Sequence, residues 1–447
     1  MVEGRLYRLF FSPLHIAPLV TFRIVFGVLM LISTLRFMYL GWIEDHYAAP
    51  VFHFKYYGFE WVEPLSTNWL YALHVLLALA SVGVALGFFY RVSAVLVFLL
   101  FTYFELIDLT YYLNHYYFVS LVSGIMMFLP AHRYFSLDAW RKPSLLQSNV
   151  PAWCIRLLML QLGLVYFYAG LAKINSTWLL DALPLKIWLP AHDDLPIIGE
   201  MMQWPATPYI FSWFGMLYDV SIPFFLLWKR TRLFAYLAVI VFHTITGLLF
   251  QIGVFPVVMI GATLIFFSAE WHQNLIRRLK NILPQKKIAP IAQGTFPNRP
   301  FVVAAVGMYV IFQIVFPWRF LFYNGNMYWT EQGYRFGWRV MLMEKAGTAT
   351  FYVKDLETGK KSLVLNSDFL NHHQEKQMAM QPDMILQYAH FLGEIAQKQG
   401  VKNPAVHAEV YVTLNGKPSQ LYFSDTLNLL TIQDSWKEKD WLFAYED

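Results

Sequence analysis

The sequence predicts an all-α polytopic membrane domain of about nine transmembrane helices, followed by a small α+β extracytoplasmic domain. Three observations carry that prediction. Of 447 residues, 57% are hydrophobic and only 14% charged, with a mean hydropathy of +0.42, whereas a soluble domain carries roughly 25% charged residues. Apolar runs near the length needed to cross a bilayer recur as far as residue 322. From residue 323 onward charges rise and the apolar runs shorten. The expected division is therefore a membrane domain over 1–322 and a second domain over 323–447.

Taken in order, the chain opens on an amphipathic stretch from Met1 to Pro18, with no small-residue cleavage site after its apolar part. Spans follow at roughly 17–40, 69–89, 92–113, 115–130, 152–172, 209–228, 231–249, 252–269 and 300–322. Loop charges give them a direction, because cytoplasmic loops collect Lys and Arg. With Arg5 and Arg8 inside, successive inner loops hold Arg91, then Arg133, Arg141 and Lys142, then Lys229, Arg230 and Arg232, then Arg277, Arg278, Lys280, Lys286 and Lys287. The long outer loops carry Glu44, Asp45, Glu60 and Glu63, then Asp181, Asp193, Asp194 and Glu200, with Lys55 and Lys186 outnumbered. The N-terminus is thus expected inside. Lys173, the Asn114-His115 turn, the Gln251-Ile-Gly253 turn and the region beyond Tyr323 all fall on the outer face.

The second domain is read from its periods. Alternation in Thr348-Ala-Thr-Phe-Tyr-Val-Lys354 and Ala408-Glu-Val-Tyr-Val-Thr413 predicts strands, and Asn415-Gly416 after the second predicts a hairpin turn. Met384, Ile385, Tyr388, Phe391, Leu392 and Ile395 recur at helical spacing between them. The stretch 277–300, rich in Lys and Pro, reads as the one linker-like loop. A net charge of +5 lies mostly in loops and reports topology, not nucleic-acid binding. The single cysteine, Cys154, excludes an intrachain disulfide and sits at an apolar helix start.

Ionisable groups inside spans are costly and become candidates by default. Arg23, Arg36, Glu105, Asp108, Asp219 and His243 fall there. Buried charges are normally paired, so structural pairing is the leading expectation for the Arg, Asp and Glu members, with Arg36 and Asp108 as one pair. Lys173 ends an apolar aromatic run, Val165-Tyr-Phe-Tyr-Ala-Gly-Leu-Ala-Lys173, with Trp178 beyond it. Two readings stand open: a snorkelling anchor, or a partly desolvated amine serving as a base. Asn114 and His115 could hydrogen-bond a quinol oxygen or satisfy their own tight turn. For His243 a helix-packing hydrogen bond is the plainer reading. Thirteen histidines are present, yet none fall in His-Glu-x-x-His or a similar box, and His372-His373 make a poor shared ligand set. No metal site is expected. Any chemistry falls to a base and an organic cosubstrate.

In this order, Phe22-Arg-Ile-Val-Phe-Gly27, Leu113-Asn-His-Tyr-Tyr117, the Lys173 run with Trp178, Phe242-His243, Leu249-Phe-Gln-Ile-Gly253 and Tyr334-Arg-Phe-Gly-Trp338 resemble the vitamin K-dependent γ-glutamyl carboxylases. The likeness is to the bacterial kind with the horizontally transferred transmembrane (HTTM) domain, and it covers nearly the whole chain. It implies that Lys173 is the weak base that deprotonates a reduced vitamin K or menaquinone-type hydroquinone. With O₂ this gives a strongly basic oxygenated species that ends as the epoxide, removes a γ-proton from a peptide glutamate, and leaves a carbanion to add CO₂. It further implies that Asn114 and His115 bind or orient the quinol and that His243 lies near its pocket. Ala172 stands where the animal enzymes have a first lysine, the animal disulfide cannot form here, and their C-terminal extension is not matched. Implied partners are the lipid bilayer and a glutamate-containing peptide or protein; the implied setting is a bacterial inner membrane. A quinol epoxidase that does not carboxylate protein, and a non-enzymatic membrane ligand-binding protein, are the alternatives.

Overall fold

Without water to bond to, a chain inside a bilayer must satisfy its backbone within its own helices, and the computed structural model is built that way. It describes residues 2–196, 198–250, 252–280, 297 and 299–446. Among these, seven helices are long and apolar enough to cross a membrane: Ala17–Tyr39, Thr67–Leu86, Tyr90–Ile107, Trp153–Ala172, Thr207–Leu227, Arg232–Leu249 and Pro300–Phe322. An eighth span arises if Phe255–Phe266 and Ala269–Leu279, bent by 114°, are taken together.

The difference from about nine lies in two segments. Asn114–Phe128 is a helix of 15 residues, about 22 Å at the α-helical rise and so short of the hydrocarbon thickness. The stretch 252–269 forms Phe255–Thr263, tightens to a 3₁₀ turn at Leu264–Phe266 and then breaks. Lys280 closes the last basic helix; Lys286, Lys287 and Gln251 lie outside the described residues.

Small residues let the helices meet. A Cβ on Gly27 would come 2.5 Å from the Ala85 nitrogen, so Ala17–Tyr39 and Thr67–Leu86 touch there backbone to backbone. Arg23, fully buried, donates to the Ala131 and Phe135 carbonyls at 2.9 and 2.7 Å. It closes a loop instead of pairing with a carboxylate. The Asp138 carboxylate caps Tyr90–Ile107 by accepting from the Phe89 and Tyr90 N–H groups, both at 2.9 Å. At the end of the bundle away from Lys173, β1 (Pro13–His15) pairs antiparallel with β2 (Asn149–Pro151), Leu14 facing Val150.

The expected Arg36–Asp108 pair does not form. Arg36 lies over the Trp42 ring at 4.7 Å. Asp108 instead accepts from the Thr110 backbone and hydroxyl at 2.9 and 2.6 Å and from Gln374 Nε2 at 2.7 Å. Neutral donors satisfy a buried carboxylate as well as an arginine would, at no cost in a second desolvated charge.

The C-terminal region folds as a four-stranded antiparallel sheet, in the order β4 (Lys361–Leu363), β3 (Lys345–Asp355), β5 (Pro404–Leu414), β6 (Gln420–Leu421). β3 and β5 pair from Lys345 opposite Leu414 to Asp355 opposite Pro404. Asn415 and Gly416 have φ of 53° and 76°, and Lys417 N–H donates to the Leu414 carbonyl at 3.1 Å. This is the turn with two positive φ angles that Asn-Gly favours. The helix Pro382–Lys398 lays Met384, Ile385, Tyr388 and Leu392 into the sheet's core. Arg335 grips Asp383 through both carboxylate oxygens, at 2.5 and 3.2 Å, anchoring the start of that helix. The domain sits on the loops of the membrane bundle: Gln374 also donates to the Phe52 carbonyl at 2.7 Å, and Gln387 exchanges bonds with the Lys55 backbone.

Candidate functional site

Lys173 ends the helix Trp153–Ala172, where unpaired carbonyls and the helix dipole favour a cation. The side chain turns back into the protein and is only 7% exposed. Its Nζ donates to the Ala169 carbonyl at 3.1 Å and to Asp219 Oδ2 at 2.8 Å. Both members of this ion pair are buried, at 9% and 6% side-chain exposure. The lysine is therefore not a snorkelling anchor.

Gly170 makes the pair possible. A Cβ there would lie 2.5 Å from the Val220 nitrogen and 2.9 Å from the Asp219 carbonyl carbon. The lysine helix and the aspartate helix, Thr207–Leu227, thus touch backbone to backbone one residue from Asp219. Any larger residue would push Asp219 away from Nζ.

Beyond Lys173 the chain turns at Asn175, whose Oδ1 caps Ser176–Leu179 by accepting from Trp178 N–H at 2.9 Å. Trp178 is held there by its indole N–H, which donates to the Ser212 carbonyl at 2.9 Å. Its ring lies 5.5 Å from Lys173 Nζ. The aromatic face shields the ammonium from water and adds a cation–π contact. Trp178 packs with Leu185, Leu189, Met202, Leu249 and Leu342, so the cover over Lys173 is shared by loop 174–206, a span end and the C-terminal region.

His243 is buried two turns deeper. Its Nε2 lies 3.0 Å from the Tyr166 hydroxyl, and Tyr166 precedes Lys173 by two turns on one helix. The helix-packing bond read from the sequence is thus present, to Tyr166. His243 Nδ1 is buried with no hydrogen-bond partner among the described residues. Nδ1 is thus a buried ring nitrogen left open to a ligand hydroxyl, which can both donate and accept.

His115 reaches the same neighbourhood from the other side. Its ring lies 5.2 Å from Phe255, and the His243 ring lies 5.9 Å from the same phenylalanine. Asn114 is turned differently: its Nδ2 donates to the Arg339 carbonyl at 2.9 Å and its Oδ1 accepts from Tyr112 O–H at 3.1 Å. Tyr112 O in turn accepts from Phe336 N–H at 2.7 Å. Asn114 therefore ties the membrane helix to segment 336–339, while its amide keeps a second N–H and a second lone pair. The structure brings His115 and His243 together around Phe255 and joins His243 to the lysine helix through Tyr166. No contact among the described residues joins Lys173 directly to Asn114 or His115. Asp219 as the partner of Lys173 was not read from the sequence; its signal was a carboxylate alone in an apolar span.

The model of the HTTM domain matches residues 11–271 of the chain. The model described as vitamin K-dependent gamma-carboxylase, lumenal domain, matches residues 298–447. No solved structure matches the chain.

Proposed function

Because the chain belongs to the vitamin K-dependent gamma-carboxylase family, we propose that it carboxylates peptide glutamate at the γ-carbon, coupled to epoxidation of a reduced naphthoquinone with O₂ and CO₂. The buried Lys173–Asp219 pair under Trp178 is the observation that carries this reading. A structural anchor needs no carboxylate, and a buried ion pair is poor stabilisation for its cost. A proton-transfer site needs both.

The residues fit the quinol. His243 Nδ1 is a buried ring nitrogen without a hydrogen-bond partner among the described residues, suited to a quinol hydroxyl, and Phe255, His115 and Tyr166 give aromatic surface beside it. When bound, the reduced quinone supplies, by reaction with O₂, a base strong enough to take a glutamate γ-proton. Lys173 handles the first proton. Passing one proton from Nζ to Asp219 Oδ2 yields an amine and a carboxylic acid with no change in net charge. The amine then has a lone pair to accept the quinol hydroxyl proton. Trp178 and the apolar cover keep water from that exchange, and Asn114 ties its membrane helix to segment 336–339.

The basic inner loops and the acidic outer loops support an N-terminus on the cytoplasmic side and a C-terminal domain on the opposite face; the membrane proposed for it is a bacterial inner membrane. The reaction is tested with purified protein, reduced quinone, O₂, labelled bicarbonate and a short glutamate-containing peptide. Label in the peptide together with epoxide is expected. Epoxide without label would sink the carboxylase reading and leave a quinol epoxidase.

A further inference from the structure

At the end of the bundle away from Lys173, the lysine and aspartate helices part around a cavity of about 570 Å³, within the range of ligand pockets. Its walls are apolar, with Met159, Leu164, Phe167, Phe224 and Phe266 among them. Gly163 opens it: a Cβ there would meet only Pro223, at 3.7 Å. Two turns nearer Lys173 the same two helices close at Gly170, where a Cβ would stand 2.5 Å from the Val220 nitrogen. The groove is therefore shut toward Lys173.

Its other end is charged. Arg156, near the start of the lysine helix, and Arg232, at the start of Arg232–Leu249, both line it, and no Asp or Glu does. Arg156 Nη1 donates to the Leu9 and Arg8 carbonyls at 2.7 and 3.2 Å. Arg232 Nε and Nη2 donate to the Leu226 and Leu227 carbonyls at 2.8 and 3.1 Å. These bonds fix both heads and leave N–H groups on each guanidinium. Among the described residues neither arginine is in a salt bridge. His15 lines the groove too; its Nδ1 accepts from Ala17 N–H at 3.1 Å, so its proton sits on Nε2.

We propose that this groove is a binding site for an anionic glycerophospholipid of the leaflet opposite the C-terminal domain. An acyl chain lies along the apolar wall past Gly163, and the phosphate is taken by Arg156 and Arg232, with His15 Nε2 as a further donor. Two guanidiniums without a counter-charge match a phosphodiester in charge and in planar donor geometry. A quinone tail satisfies neither arginine, and the seal at Gly170 separates the groove from Lys173. The site is thus independent of the catalytic reading.

The test is lipid retention. Protein purified in mild detergent is delipidated and reconstituted in nanodiscs of phosphatidylcholine with or without phosphatidylglycerol, and bound lipid is measured by native mass spectrometry. Wild type should retain phosphatidylglycerol in preference to phosphatidylcholine. Arg156→Gln with Arg232→Gln should lower that retention at least about tenfold, the loss of one charge-assisted contact. Gly163→Leu should lower it by filling the wall with both arginines intact. For the wild-type chain, a photoactivatable phosphatidylglycerol should crosslink within 156–167 or 223–232. Equal retention of phosphatidylcholine, retention unchanged in both variants, or crosslinks confined elsewhere would each overturn the proposal.

Discussion

Lys173 Nζ and Asp219 Oδ2 meet at 2.8 Å between two spanning helices, 46 residues apart in sequence, with both side chains almost wholly out of solvent. A lysine at a helix end usually reaches for water; this one is held away from it. If the amine is the base, Lys173→Ala should abolish epoxide formation, and a small exogenous primary amine should restore part of it by occupying the truncated site. Full activity in Lys173→Ala, followed by quinone epoxide yield, would reduce the lysine to a structural role.

Asp219 is predicted to matter in two separable ways. Asp219→Asn leaves an uncompensated ammonium in a buried place, which costs about 3–5 kcal/mol. It also removes the proton acceptor, so turnover should fall by roughly 10²–10⁴. Lys173→Met combined with Asp219→Leu should recover the stability but not the turnover. Thermal melts and epoxidation rates on wild type, Lys173→Met, Asp219→Leu and the double variant, with Asp219→Asn beside them, separate the two effects.

Gly170→Val should act through distance. Its side chain has no room against Val220, so the two helices must part. Overpacking of this kind costs about 1–3 kcal/mol, and Asp219 would leave hydrogen-bond range of Nζ. Turnover should then fall along with melting temperature, whereas Gly163→Val, facing the open groove, should leave turnover unchanged.

How much of this could be read beforehand depends on the range of the interaction. β3, β5 and the Asn415-Gly416 turn were legible because a period of two and a positive-φ turn are local properties. The Lys173 run and its Gly170 were visible as a packing helix with a charge at its end. The partner was not, because a side chain's neighbour across two helices depends on rotation and depth, which composition does not encode. The same limit explains Arg36 and Asp108: both approach the same end of the bundle, yet one rests on Trp42 and the other is taken up by Gln374 from the C-terminal domain. Asn114 was marked for a ligand from its place at a turn; its link to Arg339 required the fold of a segment more than two hundred residues away.

The two histidines near Phe255 should behave as binding groups. His243→Ala removes an unpartnered buried ring nitrogen and the Tyr166 bond, and His115→Ala removes the ring on the other side of Phe255. Each should raise KM for the quinol about tenfold, the value of one hydrogen bond of ~1.5 kcal/mol, with a smaller change in kcat. A lowered melting temperature with KM unaltered would make both histidines packing residues.

Acid should loosen the C-terminal domain through Arg335 and Asp383. Burial pushes the Asp383 carboxyl up, but the facing Arg335 guanidinium and its hydrogen bonds outweigh that and hold it at about 2. An unfolded aspartate titrates near 3.9, so the native state binds this proton less readily than the unfolded chain. The stabilisation is therefore complete above about pH 4, amounts to about 3 kcal/mol by linkage, and is lost as pH falls from about 4 to about 2. Trp329 is buried in this domain's core beside Tyr422. Tryptophan fluorescence during thermal melts of the full chain should show a midpoint falling across that window. In Asp383→Asn the midpoint should start lower and vary less with pH there. Parallel midpoint curves for the two proteins would mean that the pair contributes nothing to the acid sensitivity.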